Sequence, residues 1–168
     1  ERTLAGVIEN HLAQLCESIP PMRRAEIWEL TRFAADNILR EPKLAAARRE
    51  LLQACVQERR APGADRDCMA AWRGVISIFF KADGELYQKL SKKQGFPTTD
   101  AGAKTRMQDA LRWLGENSIA CERLLAVAQL PGALYTDEQW QILEALLEIL
   151  PLAVAELQVV FQSRGQAD

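Results

Sequence analysis

Catalysis needs convergent groups, and few residues of this chain could supply them. Gly102-Ala103-Lys104-Thr105 is the fragment nearest to a phosphate-binding loop. Such a loop needs G-x-x-x-x-G-K-[ST], because glycine lets backbone N–H groups close around the phosphates. The two glycine positions hold Thr98 and Ala103, and no buried apolar strand precedes them. The fragment therefore reads as the first turn of a helix with solvated charges. His11 is the only histidine and sits among Glu9, Asn10 and Gln14, on or beside a polar helix face rather than poised as a general base. The carboxylate pair Glu26/Glu29 lies on an amphipathic stretch rich in arginine, which a solvated face explains. Cys16, Cys55, Cys68 and Cys121 are widely spread and show no C-x-x-C spacing for zinc or redox work, so they read as four free buried thiols. No catalytic residue and no metal ligand set is expected.

Charge carries more information. Residues 81–112 hold seven basic residues (Lys81, Lys89, Lys92, Lys93, Lys104, Arg106 and Arg112) against Asp83, Glu85, Asp100 and Asp109, a net of +3. Residues 130–168 hold Arg164 alone against Asp137, Glu138, Glu144, Glu148, Glu156 and Asp168, a net of −5. The whole chain carries only −2, so the asymmetry points to one surface that meets a polyanion.

The elements that must position these groups are helices. Apolar residues recur near a period of 3.6 almost throughout, and alternating patterns are scarce. Leu4, Ile8, Leu12 and Leu15 form one stripe, and Pro20-Pro21 separates it from a second with Ile27, Leu30, Ala34 and Ile38. Further helices are predicted over about 43–59, 65–82, 101–115 and 118–129, with a breaker at Ala61-Pro62-Gly63. Periodicity fails over 83–100, which reads as one long basic loop with a short extended piece. A last helix carries Trp140, Leu143, Leu147, Leu150, Val154, Leu157 and Phe161. Thr136 and Gln139 form a capping-box pair before it, and Pro151 predicts a kink within it. The widened stripe reads as a packed bundle helix. The fold class is all-α: an irregular bundle of about six or seven helices in a single domain, 1–168. No run approaches a membrane span, so a cytoplasmic protein is expected. The opening Glu1-Arg2-Thr3-Leu4 has no Met and no signal peptide, which reads as a piece of a longer chain.

Lys81-Ala82-Asp83-Gly84-Glu85, followed by Lys89-Leu90-Ser91-Lys92-Lys93-Gln94-Gly95-Phe96-Pro97, resembles a segment of UvrD/Rep-type superfamily 1 DNA helicases of the RecB/AddA-like branch. In those proteins an apolar helix leads into a T-x-x-G-x-x-R-K turn, a basic run and G-F-P. Leu130-Pro131, Tyr135, Trp140, Leu143-Glu144-Ala145-Leu146-Leu147, Ala155-Glu156-Leu157 and Val160-Phe161 continue the resemblance in order. It covers roughly residues 66–168, and the first 65 fit only as generic helices. Where the family often places an arginine-lysine pair, this chain has Tyr87-Gln88-Lys89.

The resemblance implies a helical accessory domain, called 1B, inserted in the first motor domain. Such a domain holds DNA near the strand junction while the motor domains hydrolyse ATP with Mg. Its implied partners are duplex or single-strand/duplex DNA, the motor domains, and a second nuclease or helicase subunit. The fragment itself is expected to hold no cofactor. Lys89, Lys92 and Lys93 are the leading DNA contacts, with Lys81, Lys104 and Arg106 as weaker ones, and Phe96 either anchors its loop or stacks on a base. The alternative is a helical protein-interaction scaffold, which an exposed apolar face would favour over a clustered basic one.

Overall fold

The computed structural model describes residues 4–97 and 99–130 and, further on, 142, 145–146, 149–151, 153–158 and 160. The chain divides into two compact units, Glu1–Ala133 and Leu134–Asp168.

The first unit is the irregular all-α bundle expected. Helix α1 runs Leu4–Ser18 and α2 runs Pro21–Leu39. Pro20 is the N-cap of α2 and Pro21 its first residue, where a missing N–H costs nothing. Helix α3 covers Ala46–Gln57 and α4 covers Met69–Phe79, both shorter than the periodicity suggests. A 3₁₀ turn at Arg66–Cys68 takes the start of the predicted fourth helix. Helices α5 (Ala101–Glu116) and α6 (Ser118–Gln129) follow the expected limits closely.

Helix α2 packs on α3, α4 and α5, while α6 packs on α1, α4 and α5. The core takes Ile8, Leu12 and Leu15 from α1, Ile27, Leu30, Ala34 and Ile38 from α2, and Trp72, Val75, Ile78 and Phe79 from α4. Gly74 lets α4 close on α3, because a Cβ there would fall 2.0 Å from Cys55 Sγ. Two of the polar groups that enter this interior are satisfied locally, whereas Trp28 Nε1 and Arg32 Nε have no hydrogen-bond partner among the described residues. Thr31 Oγ1 donates to the Ile27 carbonyl at 2.8 Å, and Trp72 Nε1 donates to the Gly63 carbonyl at 2.9 Å. Arg73 donates to the Leu130 carbonyl and Arg123 to the Gln14 carbonyl, which ties α6 to its neighbours.

All four cysteines are free, but only Cys55 is fully buried; Cys16, Cys68 and Cys121 are half-buried. The expectation of four buried thiols is corrected to one: Cys16 and Cys121 stand next to the buried Leu15 and Ala120 on their helices, and Cys68 ends the 3₁₀ turn, none of whose residues is buried.

In the second unit every described residue from 142 to 160 is helical, Pro151 included. Thr136, Gln139, Trp140, Leu143, Leu147 and Phe161 lie outside the described side chains. Of the predicted stripe, Leu150, Val154 and Leu157 are exposed rather than packed. No described helix is long and apolar enough to cross a membrane.

Candidate nucleic-acid interface

The basic loop leaves α4 through a tight reversal. Phe80 and Leu86 form an antiparallel bridge, the Lys81 N–H donates to the Glu85 carbonyl at 2.8 Å, and the Tyr87 N–H donates to the Phe79 carbonyl at 3.0 Å. Asp83 Oδ1 accepts the Glu85 N–H at 3.0 Å inside the turn, and Gly84 takes the left-handed conformation that closes it. This is the short extended piece that the broken periodicity suggests.

The second half of the loop is clamped from both ends. Leu90 is buried before the basic run and Phe96 after it, the latter with 1% of its surface exposed. The Phe96 ring sits 5.8 Å from that of Phe33 at a tilt of 38°. So enclosed a ring anchors the loop and has no face to offer a base. Between the anchors lies a 3₁₀ turn, Lys92–Gln94, closed by a capping box. The Lys93 N–H donates to Ser91 Oγ at 3.2 Å, and the Ser91 N–H donates to Gln94 Oε1 at 3.0 Å. Gly95 then turns left-handed, and its carbonyl accepts from Asn37 Nδ2 on α2 at 3.0 Å.

This clamp determines where the charges stand. Lys89, Lys92 and Lys93 are exposed and form no ion pair among the described residues. Lys104, half-buried in the first turn of α5, also has no counter-ion among the described residues. The other two candidates are already engaged. Lys81 Nζ contacts Glu85 Oε2 at 2.5 Å, and that hydrogen bond raises the lysine pKa. Arg106 reaches back across the chain to Glu29 at 2.8 Å and to Glu26 at 3.9 Å. Glu26 also holds Arg23 at 2.8 Å, so the carboxylate pair serves as ion-pair partners.

Two residues outside the predicted DNA contacts enter the picture. Arg40, at the end of α2, lines a recess of about 330 Å³ together with Asn37, Glu41, Lys92, Pro97 and Thr99. Residues 40–49 hold Arg40, Lys43, Arg48 and Arg49 against Glu41 alone, a signal present in the sequence. Arg40 is paired with Asp36 at 2.6 Å, and Arg49 is committed to the Leu39 and Glu41 carbonyls. Arg112 lines a second, open recess between the hairpin and α5, beside Glu85, Tyr87, Gln88 and Gln108.

The Gly102-Ala103-Lys104-Thr105 fragment forms the start of α5, as the helix-turn reading expects. The Asp100 carboxylate accepts the Ala103 N–H at 2.9 Å, so the protein's own anion occupies the position a phosphate would take. Among the described residues no group of histidine, cysteine, aspartate or glutamate side chains could hold a metal. No protein-family model, no curated protein and no solved structure matches this chain.

Proposed function

We propose that this chain is a DNA-binding accessory domain of an ATP-dependent, UvrD/RecB-like DNA helicase, acting in DNA unwinding and double-strand break repair. One observation carries the reading: a loop pinned at Leu90 and Phe96 presents Lys89, Lys92 and Lys93, all exposed and without counter-ions among the described residues. Pinning matters because a lysine on an ordered turn loses less freedom when it meets a phosphate. Each ammonium neutralises a phosphate and releases condensed counterions, which gives affinity without base readout. Lys104 stands ready in the same way, whereas Lys81 and Arg106 must first exchange a carboxylate for a phosphate.

ATP and Mg belong to the parent's motor domains in this reading. The N-terminus of α5 is capped by Asp100, and no nucleotide step is assigned to this chain. The proposed setting is cytoplasmic, with the motor domains and a second nuclease or helicase subunit as protein partners. The test is a salt series of fluorescence anisotropy titrations on a labelled duplex, with the parent chain and a Lys89→Ala/Lys92→Ala/Lys93→Ala variant. Unchanged affinity and salt slope in the variant would remove the loop as the contact.

A further inference from the structure

Nine large apolar side chains are exposed among the described residues, and seven of them lie between 142 and 160. Ile142, Leu146, Ile149, Leu150, Val154 and Leu157 are between 47% and 62% exposed. At a helical period they gather on one broad face. Such a grouping of exposed apolar side chains marks an interaction surface rather than ordinary scatter.

We infer that this C-terminal helix is a docking surface for a partner helix that has an apolar seam and lysine or arginine flanks. Charge complementarity selects the occupant. Residues 130–168 carry one base against six acids, and Glu156 is exposed within the helix. In the sequence, Glu144 and Glu148 also fall off the apolar spacing. A second copy of the chain would set −5 against −5, and like charges across a helix pair disfavour it. Within the first unit, Met22 and Ile119 are the only large, exposed apolar residues among those described. DNA is repelled by the same carboxylates. An amphipathic helix with basic flanks satisfies both the seam and the acids.

The experiment uses the full chain and two designed amphipathic peptides, fluorescein-labelled, with identical leucine seams and either lysine or glutamate flanks. Anisotropy titrations should show saturable binding of the lysine-flanked peptide and none of the glutamate-flanked one. A Leu150→Glu/Leu157→Glu variant should bind at least about tenfold more weakly, since it removes two apolar contacts and sets two carboxylates in the seam. Both side chains are exposed, so its circular dichroism should match the parent's. A Leu146→Gln variant, which adds no charge, should weaken binding in the same direction. No binding of the lysine-flanked peptide, or equal binding of both peptides, overturns the inference. So does sedimentation showing a dimer of the parent that Leu150→Glu/Leu157→Glu dissolves, because a second copy would then be the occupant.

Discussion

A Cβ on Gly95 would lie 2.4 Å from the carbonyl oxygen of Ala34 and 2.6 Å from its Cα. The basic loop is therefore pressed against the backbone of α2 at a point where only glycine fits, and at φ +82° only glycine is unstrained. The neighbouring bond from Asn37 to the Gly95 carbonyl fixes the same spot. Glycine 84 shares the backbone conformation, yet its nearest neighbour is Leu125 Cδ2 at an ordinary 3.6 Å.

The pair makes a comparison. Gly84→Ala should cost about 1–2 kcal/mol for the left-handed conformation alone. Gly95→Ala should cost that and more, because the backbone of α2 cannot step aside as a side chain can. Urea unfolding of both variants measures the difference. Equal losses would mean that the contact with Ala34 is not a constraint.

The lysine triad should behave as a polyanion contact. The domain alone should bind duplex with a Kd on the order of 10⁻⁴–10⁻⁶ M, falling steeply with salt and indifferent to base sequence. Replacing Lys89, Lys92 and Lys93 with alanine should flatten the salt slope by about 0.9 per lost phosphate contact. Changing Glu144 and Glu148 should leave the slope where it was.

Phe96→Ala should act on stability first. Removing a ring this enclosed should cost about 3–5 kcal/mol. Phe96→Leu keeps most of the packing and should retain DNA binding. A leucine variant that folds normally but loses affinity would mean that the ring meets DNA after all.

Gly74 and Cys55 should be energetically coupled. Gly74→Ala places a methyl 2.0 Å from Cys55 Sγ, whereas the Cys55 Cβ is 3.7 Å away. Removing the sulfur should therefore rescue the alanine. A double-mutant cycle with Cys55→Ala should return at least about 1 kcal/mol of coupling in chemical denaturation. Additive losses would contradict the close approach.

Cys55 should also report on pH. Burial pushes its thiol from 9.0 to about 11. The folded state then holds the proton that the unfolded state releases first, so this contribution is complete below about 9 and is lost as pH rises towards 11. Stability followed from pH 8 upward should decline across that window, and Cys55→Ala should decline less. Thiol labelling of the native protein at pH 8 should leave Cys55 until last. Early modification there would show that the α3–α4 seam opens.

Much of the bundle is legible in the sequence. A helix sets its own period, so apolar residues at three- and four-residue spacing mark α1, α2, α5 and α6 whatever they pack against. Pro20-Pro21 marks a break because proline acts on its immediate neighbours, and the missing glycines rule out a phosphate loop by local geometry alone. The net +3 of residues 81–112 is likewise a sum over sequence. Which of those cations stay free is not, because partners are chosen by docking. Arg106 is neutralised by Glu26 and Glu29, about eighty residues earlier, only because α5 packs on α2. Arg40 shares a recess with Lys92 only because the loop folds onto the end of α2. The role of Phe96 and the need for glycine at 95 depend on what lies opposite them. An apolar stripe reads the same whether it is buried or exposed, so the sequence determined that the C-terminal segment is amphipathic. Only the tertiary structure decided that Leu150, Val154 and Leu157 are left uncovered.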